Sequence, residues 1–185
     1  MDNGASSYRR FLEGDDDGIV QIIKDHKDGL MFYLNSFVQN IHLSEDLTED
    51  TFVKLIARRP RFSGKSTFKT WLYAIGRNVA LDHLRKNAKL PTVSAEEATA
   101  LIADEAYVAR NYLRTEQKLQ VHEALKRLNK EYRQVLVLIY FEDFQNEQVA
   151  SVMRKSKKQI ENLVYRAKLS LKSELEKEGF VYEDL

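Results

Sequence analysis

The chain has 185 residues, room for one mid-sized domain or two small ones, and its 29 Lys plus Arg against 28 Asp plus Glu leave a formal net charge of +1. With 43% hydrophobic and 31% charged residues, the composition is globular rather than disordered. It contains no cysteine, which excludes a disulfide framework, a Cys-ligated zinc and a thiol nucleophile.

No stretch approaches 18 uninterrupted apolar residues, so no membrane-inserted helix is expected. The first residues, with Arg9 and Arg10 followed by Asp15, Asp16 and Asp17, lack the apolar run of a signal peptide. A cytoplasmic location is the expectation. Residues 77–178 contain no glycine and only one proline, Pro91, and no segment alternates with period two. Hairpin turns normally need Gly or Asn, so the chain reads as all-α.

Helical spacing marks Asp16 to Lys27 through Ile19, Ile22 and Ile23, and Leu30 to Asn40 through Leu34, Phe37 and Val38. Ser44 has the chemistry of an N-cap, with Glu45 and Asp46 in the first turn where the helix dipole favours acids. That helix is expected to run to about Arg58, ahead of Pro60. Phe68 to about Lys86 follows, with Phe68, Leu72, Ile75 and Val79 on one face. A linker begins near Asn87, where Ser94 and Glu97 fit a capping box. From Glu116 the period returns in Leu119, His122, Leu125 and Leu128, breaks at Asn129, and resumes in Tyr132, Val135, Leu136 and Ile139. Two helices, Asn146 to Met153 and Ser156 to Glu176, complete the series. The expected architecture is two small helical domains, 1–86 and 116–185, joined by a linker over 87–115.

The near-zero charge is a cancellation. Residues 1–53 carry net −7, 54–86 net +8, 87–153 net −2, 154–172 net +6 and 173–185 net −4. Two basic blocks with interleaved aromatics suit a nucleic-acid partner better than two solvated helix faces do. The C-terminal block has helix-turn-helix spacing. Ile160, Leu163, Val164, Ala167, Leu171 and Leu175 line the inner face of its second helix, with Lys158, Glu161, Asn162, Tyr165 and Lys172 opposite and Arg166 and Lys168 flanking. Such a helix fits the major groove, where Asn pairs with adenine and Glu with cytosine, while Lys157, Lys158, Arg166 and Lys168 suit phosphates. In the other block a glycine-bearing loop enters an aromatic, basic helix, a combination that suits unpaired bases. Phe68 there is read as core. Gly64-Lys65-Ser66 lacks the upstream glycine and strand of a nucleotide-binding loop.

The segments Glu45-Asp46-Leu47-Thr48-Glu49-Asp50-Thr51-Phe52-Val53-Lys54-Leu55, Arg61-Phe62-Ser63-Gly64, Phe68-Lys69-Thr70-Trp71-Leu72 and Arg77-Asn78-Val79-Ala80 resemble the second region of bacterial RNA polymerase sigma factors of the extracytoplasmic-function type. The segments Ala124 to Leu128, Tyr132 to Leu136 and Tyr165 to Lys168 resemble their fourth region, in the family's order and spacing. The resemblance implies a promoter-specificity subunit, not an enzyme, with core RNA polymerase, promoter DNA and an anti-sigma factor as partners and no cofactor or metal. It implies that Asp46, Leu47, Glu49, Asp50, Phe52 and Leu55 dock on polymerase. It implies that Phe62, Ser63, Lys65, Ser66, Lys69, Trp71, Tyr73, Arg77, Asn78 and Arg85 meet the minus-ten element. Ser156, Lys157, Lys158, Gln159, Glu161, Asn162, Tyr165, Arg166 and Lys168 match the minus-thirty-five reader.

The sequence departs from the family at three places. Asn129 replaces a usual Pro, Arg154 stands where the helix-turn-helix turn often has Gly or Asn, and Glu161 and Leu163 replace basic positions. Two rivals remain at this level. One is a stand-alone helix-turn-helix regulator, against which the second basic block and the acidic helix count. The other is an enzyme, against which His26, His42, His83 and His122 count by showing no i, i+4 pair and no HExxH.

Overall fold

The computed structural model describes residues 3–88 and 116–177. Among these the chain forms eight helices and no strand. They are α1 (Asn3–Leu12), α2 (Asp17–Val38), α3 (Ile41–Arg58), α4 (Phe68–Asn87), α5 (Glu116–Arg127), α6 (Lys130–Tyr140), α7 (Asn146–Met153) and α8 (Lys157–Lys177). The expected capping box at Ser94 and Glu97 and most of the expected linker lie outside the described residues.

The first half differs from the sequence expectation in three ways. Helix α1 was not expected; it forms because Tyr8 and Phe11, three residues apart, are both buried as it packs on α2 and α4. The two stretches flanking Gly29 are one helix, α2, since burial of Leu30, Leu34 and Phe37 on the same face as Ile19 and Ile22 outweighs the low helix propensity of one glycine. Helix α3 starts at Ile41 rather than Ser44. Its N-cap is Asn40, whose Oδ1 accepts from the Leu43 N–H at 3.0 Å. Ser44 is fully buried one turn in, and its hydroxyl binds the Asn40 carbonyl and Asn35 Oδ1.

The second half follows its caps. Asn129 breaks α5 and caps α6, its Oδ1 accepting from Tyr132 N–H at 3.0 Å. Helix α7 ends on Arg154 in the left-handed region (φ 55°, ψ 48°), and the Arg154 N–H reaches the Ala150 carbonyl. An L residue there costs about 1–2 kcal/mol, so the tight turn is imposed by packing on either side.

One apolar cluster runs through both halves, from Tyr8, Leu34 and Phe68 to Leu136, Val149 and Ile160. Helix α2 is its axis, packing on α1, α3 and α4 of the first half and on α6 of the second. Arg133 of α6 donates from Nε to the Ser36 carbonyl (2.8 Å), and Gln39 Nε2 donates to the Lys126 carbonyl (2.8 Å). Phe32 meets Phe141 (5.1 Å between ring centroids) and His122 (5.2 Å). The relative placement of the halves, illegible in the sequence, is thus an apolar seam edged by hydrogen bonds.

Candidate nucleic-acid interface

The loop before α4 ends on Thr67, whose hydroxyl accepts from the Thr70 N–H (3.2 Å) and so fixes the entry of the aromatic helix. Phe62, Phe68 and Trp71 form one ring cluster with Tyr8, with centroids 5.1–5.7 Å apart. Phe68 is wholly buried in it, whereas Phe62 and Trp71 keep a partly open edge. The Tyr8 hydroxyl donates to the Pro60 carbonyl (2.8 Å), tying the loop base to α1. Ser63, Gly64 and Lys65 are exposed, Ser66 and Asn78 are half-buried, and Gly64 has φ 71°, a conformation open to glycine. Arg77 is half-buried, and its Nε has no hydrogen-bond partner among the described residues. Arg85 is exposed and pairs with Asp82 (3.0 Å).

Two residues assigned to the minus-ten surface are engaged elsewhere. Tyr73 is wholly buried, with its hydroxyl on the Glu142 carboxylate. Lys69 donates to the Glu142 carbonyl (2.8 Å) and pairs with its carboxylate (3.0 Å).

The acidic helix α3 divides its assigned residues by face. Leu47, Phe52 and Leu55 are core side chains, no more than 5% exposed, so they hold the helix from within rather than offering it to a partner. Asp46, Glu49 and Asp50 face outward. With them stand Val53 (59% exposed) and Ile56 (40%), an apolar pair beside a carboxylate row. Sequence reasoning missed these two. Their spacing three residues apart, off the Leu47, Thr51 and Leu55 stripe, was the available signal.

In the helix-turn-helix, Ile160, Ala167 and Leu175 are buried, and Leu163, Val164 and Leu171 are half-buried against the core. All nine assigned reader residues are exposed: Ser156, Lys157, Lys158, Gln159, Glu161, Asn162, Tyr165, Arg166 and Lys168. Leu163 is drawn inward by packing, in keeping with its apolar side chain. Gln159 and Ser156 form a reciprocal cap: Gln159 Oε1 accepts from Ser156 N–H (2.7 Å) and Ser156 Oγ from Gln159 N–H (3.2 Å). Lys157 is paired with Glu147 on the preceding helix, which raises the lysine pKa and lowers that of the glutamate. Lys168 lies over the Tyr140 ring (5.3 Å).

Among the described residues, no three His, Cys, Asp or Glu side chains gather as a metal set, and no helix is long and apolar enough to cross a membrane. His122, buried under Phe32, has its pKa lowered to about 4 by burial first and then by the charge of Lys126, with Arg133 adding to it and Glu123 opposing.

Residues 22–90 match the description Sigma-70 region 2, and residues 118–171 match Sigma-70, region 4. The chain belongs to the sigma-70 family of RNA polymerase sigma factors. It is 25% identical to RNA polymerase sigma factor YlaC of Bacillus subtilis over 87% of this chain and 94% of that one. It is 22% identical to the extracytoplasmic-function (ECF) sigma factor SigW of the same organism, over 90% and 94%. In fold it resembles the sigma factor RpoE of Bartonella quintana, in complex with the anti-sigma factor NepR (TM-score 0.65, 21% identity, 87% and 98% covered). With both regions present in one chain, this sigma factor of the ECF type is a promoter-specificity subunit rather than a stand-alone helix-turn-helix regulator. Its partners are core RNA polymerase and promoter DNA.

Proposed function

We propose how this sigma factor divides its work among the helices. Asp46, Glu49 and Asp50, with Val53 and Ile56, form the outward face of α3 that docks on core polymerase. The exposed side of α8 enters the major groove of the minus-thirty-five element, with Asn162 and Glu161 at base edges and Lys158, Arg166 and Lys168 on phosphates. The loop Phe62–Thr67 with Asn78 receives a base extruded from the non-template strand of the minus-ten element. The open edges of Phe62 and Trp71 give it a stacking surface. Unstacking costs a few kcal/mol, offset by those contacts and by phosphate neutralisation.

The subunit is non-catalytic in this reading and works in the cytoplasm beside polymerase. An anti-sigma partner belongs to the proposal as well, in line with the NepR-bound neighbour. The domain limits that go with it are 1–86 and 116–185. The observation that carries the reading is the sorting of α8 and its cap, where every assigned reader side chain is exposed and the residues between them are buried or half-buried against the core. Run-off transcription with core polymerase on a genomic promoter library tests it. Directed initiation from a defined set of promoters is expected; no initiation on any template would overturn it.

A further inference from the structure

Three donors meet where α2, α4 and α6 come together, with no acid to match them. Tyr33 of α2 is wholly buried, and its hydroxyl has no hydrogen-bond partner among the described residues. Its ring stacks on Tyr73 (5.4 Å between centroids) and meets Phe37, one turn further along α2, edge-on (5.3 Å). The Lys130 ammonium of α6 lies 5.3 Å over that Phe37 ring. Arg77 stands one turn beyond Tyr73 on α4. Its Nε is buried and unpartnered, and its charge acts on both the Tyr33 hydroxyl and Lys130.

The charges acting on Tyr33 and Lys130 are those of Arg77 and Arg133, and no carboxylate is among them. Burial first, and then the two guanidinium groups, lower the Lys130 pKa. Arg133 is engaged with helix-end carbonyls through Nε and Nη1. Glu131, the acid in the first turn of α6, is paired away with Lys155 at 2.9 Å. Lys130 is the first residue of α6, so the positive end of that helix adds to the cluster. Like charges gathered without a counter-charge, beside a buried hydroxyl left unsatisfied, cost free energy that a bound anion would relieve.

We propose that Tyr33, Arg77 and Lys130 form a binding site for a free phosphate group, that of inorganic phosphate or of a small phosphorylated metabolite. A phenol, a guanidinium and an ammonium carried by three helices approach an anion from three directions, which suits a tetrahedral oxyanion better than a planar carboxylate. The phosphates of a DNA strand are the other source of this chemistry. The wholly buried hydroxyl favours the small ion, since a polymer backbone cannot follow it inside.

The probe is inorganic phosphate, titrated by calorimetry into the full chain at constant ionic strength. The parent should bind one ion, with a dissociation constant of about 1 mM or tighter. Tyr33→Phe and Lys130→Gln each remove one donor and should weaken binding about tenfold, as loss of one charge-assisted hydrogen bond would. Urea denaturation adds a readout that a packing role alone would not give. Without phosphate, Tyr33→Phe should have a higher midpoint than the parent, because it removes a buried hydroxyl that lacks a partner. With saturating phosphate the order should reverse, because only the parent keeps the full site. No saturable binding, binding that both variants leave intact, or an order that does not reverse overturns the site. Affinity for a labelled single-stranded DNA dodecamer of mixed sequence should be the same in all three proteins. A loss there that matches the loss of phosphate would assign the site to the DNA backbone and overturn the free-ligand reading.

Discussion

Arg133 caps the C-terminus of a helix to which it does not belong. From α6 its Nε donates to the Ser36 carbonyl in the last turn of α2 (2.8 Å), and Nη1 donates to the Lys126 carbonyl at the end of α5 (2.9 Å). Carbonyls in a last turn lack intrahelical donors and carry the negative end of the dipole, so one guanidinium closes two helix ends across the seam. Lys126 keeps a second donor, Gln39, whereas Ser36 depends on Arg133. Arg133→Met should therefore destabilise the chain by about 1.5–3 kcal/mol, the range for a hydrogen bond to a charged group. Urea denaturation would show this as a lower midpoint with an unchanged slope; an unchanged midpoint would contradict it.

His122 lies on the same seam, and its pKa falls from 6.5 to about 4 in the folded chain. The folded form resists a proton that the unfolded form takes up readily. Stability is thus full above pH 6.5 and declines as pH falls toward 4, by up to roughly 3 kcal/mol. His122→Gln should flatten the pH dependence of the denaturation midpoint in that window. A dependence equal to the parent's would assign it to other groups.

How much of this was legible in the sequence follows range. The helix-turn-helix was readable because Ile160, Ala167 and Leu175 repeat at helical spacing, and the boundary at Asn129 was readable as a break in the apolar period. Gly29 and Ser44 misled, since a local rule treats glycine as a break and serine as a cap. Here tertiary packing sets both, one beside Glu142 and the other against Asn35. The burial of Tyr73 was out of reach. Its partner is 69 residues away, and no local period records such a pairing.

Asn78 is half-buried on α4 in the region assigned to base capture. Asn78→Ala should slow promoter melting about tenfold, the equivalent of one hydrogen bond of about 1.4 kcal/mol, while duplex docking is kept. Fluorescence of 2-aminopurine in the minus-ten element measures melting, and gel shift of the holoenzyme measures docking. Equal loss of both would remove Asn78 from the pocket.

Asn162 and Gln159 should separate, although both are exposed on α8. Asn162→Ala is expected to relax base preference at one minus-thirty-five position by about 1–3 kcal/mol. Gln159, held in its cap with Ser156, should behave as a structural residue. Gln159→Ala is expected to cost about 1 kcal/mol of stability with the sequence preference intact. Binding-site selection on the two variants distinguishes them, and a changed preference in Gln159→Ala would return that residue to the readers.

Arg154 holds its turn at φ 55° without glycine. Arg154→Gly should raise stability by about 0.5–1 kcal/mol, the relief of left-handed strain exceeding the added freedom of the unfolded chain. Thermal unfolding would show the midpoint rising by a few degrees; a fall would mean that the arginine side chain contributes more than its backbone costs.

Trp71 is the chain's single tryptophan, and it sits in ring contact with Tyr8, Phe62 and Phe68 at the loop proposed to receive a base. Its emission is therefore a built-in optical probe of that one cluster, with no background from the recognition helix or the docking helix. The proposed nucleotide entry at the loop would change that emission in real time on the unlabelled protein, and an event confined to α8 would leave it unchanged.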